Sequence, residues 1–131
     1  MREILFRGKT TLDNEWVIGA GVYKSEGHTW IITDDVTKTE SRGTGSDAIN
    51  PETVGQFTGL TDKDGKKIFE GDIVLYARDE ELGQISYHES EAMFVVEFDT
   101  WLTDFDHMYG KDLEIIGNIH DNPELLKGGE G

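Results

Sequence analysis

"FTGLTDKDGKKIFEGDIV", Phe57 to Val74, packs Asp, Gly and Lys so densely that it admits two incompatible structures, a calcium loop and a turn between strands. A calcium loop of the EF-hand type places oxygen ligands at its first, third, fifth and twelfth positions, with Gly at the sixth. With Asp62 first, Asp64 suits the third position. Lys66 then stands at the fifth, Lys67 at the sixth and Ile73 at the twelfth, and no helical pattern flanks the loop. A hairpin explains the same residues without conflict. Asp62-Lys63-Asp64-Gly65 has the form of a type I turn closed by a glycine in the left-handed region. Asp62 can accept a hydrogen bond from the amide two residues on, and Gly65 takes positive φ without a Cβ clash. Glu70-Gly71-Asp72 then reads as a second tight corner, leading into a strand from Ile73 to Arg78. The stretch is a structural device that joins strands.

Strand patterns extend in both directions from it. "EWVIGAGVYK" alternates as one strand, with Trp16, Ile18, Ala20 and Val22 on one face and Gly19, Gly21 and Tyr23 on the other. "SEGH" supplies turn chemistry and "HTWIITD" returns, with Trp30 and Ile32 on one side. From Asp34 to Asn50 the pattern disappears into a polar, Thr-, Ser- and Gly-rich connector, where the internal boundary is expected. "TVGQFTGL" resumes the strands. "GQISYHE" and "AMFVVEFD" continue them, the latter with Phe94, Val96 and Phe98 inward and Glu97 and Asp99 outward. "LEIIGNIH", Leu113 to His120, is the last. "TWLTDFDHMYG" is compatible with a helical turn, and "NPELLKG" with one short turn started by Asn122 and Pro123. No segment carries apolar residues at helical spacing over three turns. The expected fold is mainly β, built of short antiparallel strands with little helix. Two parts are expected: an amino-terminal β subdomain over 1–50 that ends in the polar connector, and a second β subdomain over 51–131.

The chain has 131 residues and no cysteine, which excludes disulfides, thiolate metal sites and a cysteine nucleophile. The first residues lack the apolar core of a signal peptide, and no apolar run approaches the roughly 20 residues of a membrane span. A cytoplasmic protein is expected. The formal charge of −15 is uneven: residues 79–131 hold 14 acids against Lys111 and Lys127, a net −12. Such a field repels phosphate backbones and anionic membranes, so direct nucleic-acid binding is disfavoured. The acidity serves either solubility or a basic partner.

Catalytic constellations are weak. The histidines, His28, His88, His107 and His120, include no pair at zinc-ligand spacing, and no serine sits in a nucleophile elbow. Asp99, Asp104, Asp106 and His107, around Trp101 and Phe105, are the best candidates for a hard divalent cation, although a solvated acidic loop ranks ahead of that reading. No cofactor is expected.

"INPETVGQFTGLTDKDGKKIFEGDIV" and "LEIIGNIHDNPELL" resemble the two best-marked blocks of the YopX family of phage and prophage proteins, and "REILFRGK" resembles the family's opening. The blocks frame nearly the whole chain, while Asp34–Ala48 and Asp79–Asp112 match in general character only. The resemblance implies a bacteriophage or prophage protein in the bacterial cytoplasm, with a small barrel-like (SH3-like) second subdomain. It brings no catalytic residue. Asp62, Asp64, Gly65, Gly71 and Asp72 are therefore read as structural turn residues.

The leading expectation is a non-enzymatic module that binds a basic host or phage protein, with Glu89, Glu91, Glu97, Asp99, Trp101, Asp104 and Asp106 as contact candidates. Mimicry of nucleic acid is a related form of it. Two alternatives stand beside it: a metal-dependent hydrolase near Asp99–His107, and a self-assembling structural β protein, hence a homo-oligomer.

Overall fold

A computed structural model describes residues 3–33, 46–76, 80–98, 102–104 and 112–127, with Asp104 and Lys127 described by their backbone alone. The described residues are mainly β: twelve strands in three antiparallel sheets, a 3-10 turn at Pro51–Thr53 and one short helix, α1 (Glu124–Lys127). None of their helices is long and apolar enough to cross a membrane. The chain divides into two compact units, Met1–Phe57 and Thr58–Gly131.

In the first unit β1 (Phe6–Lys9) pairs antiparallel with β2 (Trp16–Gly19), Arg7 opposite Ile18 and Lys9 opposite Trp16. The start of β6 (Gly55–Thr61) flanks β1 on its other side. A second sheet orders β3 (Gly21–Ser25), β4 (His28–Ile32) and β5 (Ser46–Ile49). Ile31 and Ile49 are buried between neighbours that include Gly8. The alternating run from Trp16 to Val22 is not one strand. It breaks at Ala20, so that β2 and β3 belong to different sheets. Gly19 makes the break feasible: a Cβ there would collide with the Ile32 carbonyl oxygen, so only glycine lets the two backbones meet this closely. Ser46–Ile49, expected within the polar connector, is a strand with Thr29 opposite Ile49. Residues 34–45 lie outside the described residues.

In the second unit the end of β6 is followed by β7 (Lys67–Phe69). A five-stranded sheet then runs in the order β11-β10-β9-β8-β12: β8 (Asp72–Tyr76), β9 (Glu81–His88), β10 (Met93–Glu97), β11 (Leu102–Asp104) and β12 (Leu113–Asn118). One face packs Val74, Ile85, Val96, Phe98 and Leu113 with Ile68, and Tyr76 and Ile115 close against them. Gly83 is the close-approach point of that core, where a Cβ would stand 2.8 Å from Val96 Cγ1. The end strands β11 and β12 are not neighbours, so the described residues form open sheets and not a closed barrel. Leu102–Asp104 pairs with β10 as a strand, in place of the helical turn compatible with its sequence. In β10 the alternation puts Val96 and Phe98 into this core, and Val95 on the opposite face is also buried, so the strand is covered on both faces at that point.

Candidate functional site

Asp62 stands at the centre of the second unit's architecture. The residue is only 4% exposed, and its carboxylate accepts three backbone hydrogen bonds. Asp64 N–H and Lys66 N–H donate to Oδ1 at 2.8 and 2.9 Å, which closes the turn. Ile115 N–H, 53 residues on, donates to Oδ2 at 3.0 Å. Around it Asp62 N–H donates to the Lys66 carbonyl, Gly65 N–H to the Asp62 carbonyl and Lys63 N–H to the Leu113 carbonyl. Gly65 holds φ at 85°, as the turn requires. Burial works against the charge on Asp62, but the amides of Ile115, Lys66 and Asp64 outweigh it and lower the pKa, with help from the Lys66 cation. The second corner repeats the device. Gly71 has φ 96°, and the nearly inaccessible Asp72 accepts from Phe69 N–H at 2.7 Å. Gly71 N–H reaches the Ile85 carbonyl, and its own carbonyl accepts from Ile119 N–H. The Asp62 oxygens, read as calcium ligands, would meet backbone donors. Their role is structural.

The acidic candidates that the structure describes gather at the β9–β10 hairpin. Glu89 and Glu91 lie exposed in its turn, and Ser90 Oγ–H donates to Glu91 Oε1 at 2.8 Å. Glu97 faces away from the main core, as its alternation with Val96 requires. It is half-buried, however, and already engaged: Ser86 Oγ–H donates to Oε2 at 2.8 Å, and His88 Nε2 lies 2.9 Å from the same oxygen. The other ring nitrogen, Nδ1, lies 3.5 Å from Glu91 Oε1. The hydrogen bond to Glu97 is the chief cause that raises the His88 pKa, over an opposing loss of hydration and with further help from Glu91. The His88 and Ser86 hydrogen bonds in turn lower the Glu97 pKa against its partial burial. This is not a nucleophile-activating arrangement. Ser86 donates to the carboxylate, and His88 turns both ring nitrogens toward carboxylates, leaving no base to accept the serine proton.

Asp99, Trp101, Asp106 and His107 lie outside the described residues. Asp104 is described by its backbone, opposite Val95 in the β10–β11 register. Among the described residues, no group of three or more His, Asp or Glu is placed to hold a metal ion. The sequence sets the histidines and serines aside as catalytic or metal groups and does not pair Ser86 and His88 with Glu97. Their spacing of two puts both on one face of β9, but only the hairpin register brings Glu97 to that face.

The YopX protein family model matches residues 5–127. No curated protein matches the chain. Among solved structures, the crystal structure of protein EF1440 from Enterococcus faecalis is similar, with a TM-score of 0.55 and 26% sequence identity over 96% of this chain and 99% of that one.

Proposed function

The chain belongs to the YopX family, and from that premise we propose that it is a phage or prophage accessory protein that captures a basic protein through its acidic carboxy-terminal half. The observation that carries this reading is the charge of residues 79–131, 14 acids against two bases, with Glu89 and Glu91 exposed at the β9–β10 turn. A surface of that sign accelerates encounter with a cationic partner and repels nucleic acid and anionic lipid. A host DNA-binding protein is a suitable partner, because carboxylates then take the place of phosphates. The activity is one of binding in the bacterial cytoplasm, with no chemical step. Asp99, Trp101, Asp104 and Asp106 are proposed to extend the contact surface beyond the hairpin.

The test is capture from host lysate across a salt series, followed by kinetics with the partner so found. The association rate is expected to fall steeply with salt while the dissociation rate changes little, because exposed charges act at long range and are screened. A partner retained at unchanged affinity from low to high salt, by wild type and by a Glu89→Gln/Glu91→Gln variant alike, would make the acidity a solubility feature.

A further inference from the structure

We propose that His88, Glu91 and Glu97 form a proton-operated clasp that sets the net charge the β9–β10 acidic surface presents to a basic partner; this rests on the reading of that surface as a docking face. The geometry is specific about the proton. A neutral imidazole has one donor and one acceptor nitrogen, whereas the imidazolium has two donors. Here Nε2 lies 2.9 Å from Glu97 Oε2, and Nδ1 lies 3.5 Å from Glu91 Oε1. An ionised carboxylate only accepts, so a neutral ring would aim a lone pair at one of them. The charged ring donates to Glu97 and attracts Glu91, whose oxygen at 3.5 Å makes an ion pair rather than a full hydrogen bond.

Each part of the hairpin contributes. β9 carries His88 and Ser86, the turn carries Glu91, and β10 carries Glu97, which Ser86 holds in place. Among the described residues, Glu91 and Glu97 are the titratable groups facing the ring, and β11 lies beyond β10 with Asp104 in register with Val95. With His88 charged, both carboxylates are engaged and one unit of negative charge is offset. With His88 neutral, Nε2–H still serves Glu97 and the attraction to Glu91 ends. The face is then one unit more negative. The raised His88 pKa, caused first by the Glu97 hydrogen bond, moves that change upward from the ordinary histidine range.

One extra charge about 10 Å from a cationic partner in water alters an encounter rate roughly twofold. The ring itself is read by NMR titration of its C2 proton in the intact chain, assigned by its loss in His88→Gln. The expected midpoint lies above 6.5 and falls in Glu97→Gln. A wild-type midpoint at the ordinary value, unmoved by Glu97→Gln, overturns the clasp. The consequence is read by the association rate of poly-L-lysine at low salt, expected to rise roughly twofold across the His88 titration in wild type and to stay flat in His88→Gln. Equal pH dependence in the two proteins overturns the gating. Failure of poly-L-lysine to associate at any pH overturns the docking face and the gating with it, while the ring titration still decides whether the clasp exists.

Discussion

Replacing Asp62 by Asn changes one carboxylate oxygen from acceptor to donor and leaves the shape of the side chain intact. With the amide oxygen kept toward Asp64 and Lys66, the new NH2 group faces Ile115 N–H across the 3.0 Å now spanned by a hydrogen bond. Flipping the amide only moves the donor–donor conflict to the turn. A lost hydrogen bond to a charged acceptor costs about 1.5–3 kcal/mol, and the two remaining amides keep a weaker, neutral acceptor. Asp62 is almost inaccessible, so water offers little relief, and the loss expected is about 2–4 kcal/mol, or on the order of 10 °C in Tm. Urea unfolding reads the total, and amide exchange at Ile115 and Lys63 locates it in the second unit. The pH dependence has a definite sign. The folded-state pKa of Asp62 is lowered from 3.8, so its stabilisation is complete above that value and fades as pH falls through the folded value. Asn does not titrate, so the gap between wild type and variant should narrow below about pH 4. A variant within about 0.5 kcal/mol of wild type at pH 7, with a gap indifferent to pH, would refute the assignment of Asp62 as the tie between turn and β12.

Gly65→Ala tests the turn by backbone strain alone, since nothing lies within 4 Å of the added Cβ; a loss of about 1 kcal/mol is expected, and an unchanged melting temperature contradicts it. Gly19→Ala should be far worse, about 3 kcal/mol or more by urea unfolding, because the new methyl meets the Ile32 carbonyl and Ile31 Cγ2, and backbone cannot step aside. Calorimetry with calcium, magnesium, manganese or zinc should show no saturable site, and a stoichiometric isotherm abolished by Asp104→Ala or Asp106→Ala would instead support a metal-dependent enzyme. Glu89→Gln/Glu91→Gln should melt like wild type, as both side chains are exposed, while Glu97→Gln should disturb Ser86 and should shift the His88 ring signals more than loss of Glu91 does.

The family match over residues 5–127 takes in both of the best-marked blocks, 49–74 and 113–126, and the structure shows how they are tied together. The turn at Asp62–Gly65 and the strand from Leu113 are tied by the Asp62–Ile115 and Lys63–Leu113 hydrogen bonds, and the Gly71 corner is tied to Ile119. Their shared residues make one knot in the second unit.

Local chemistry alone determined the strand-rich class, the Asp62–Gly65 turn, the Gly71 corner and the cost of a calcium reading at Lys66 and Ile73. Each is set by a few neighbouring residues: alternation, a positive-φ glycine, an aspartate two residues from the amide it binds. The break at Ala20, the strand at Ser46–Ile49 and the burial of both Val95 and Val96 could not be read that way, because each depends on which strand lies alongside or above. The same holds for the acidic candidates. A carboxylate in sequence is only a charge; whether Glu97 is free for a partner or held by Ser86 and His88 is decided by the hairpin register, which brings residues nine and eleven positions apart within hydrogen-bond distance.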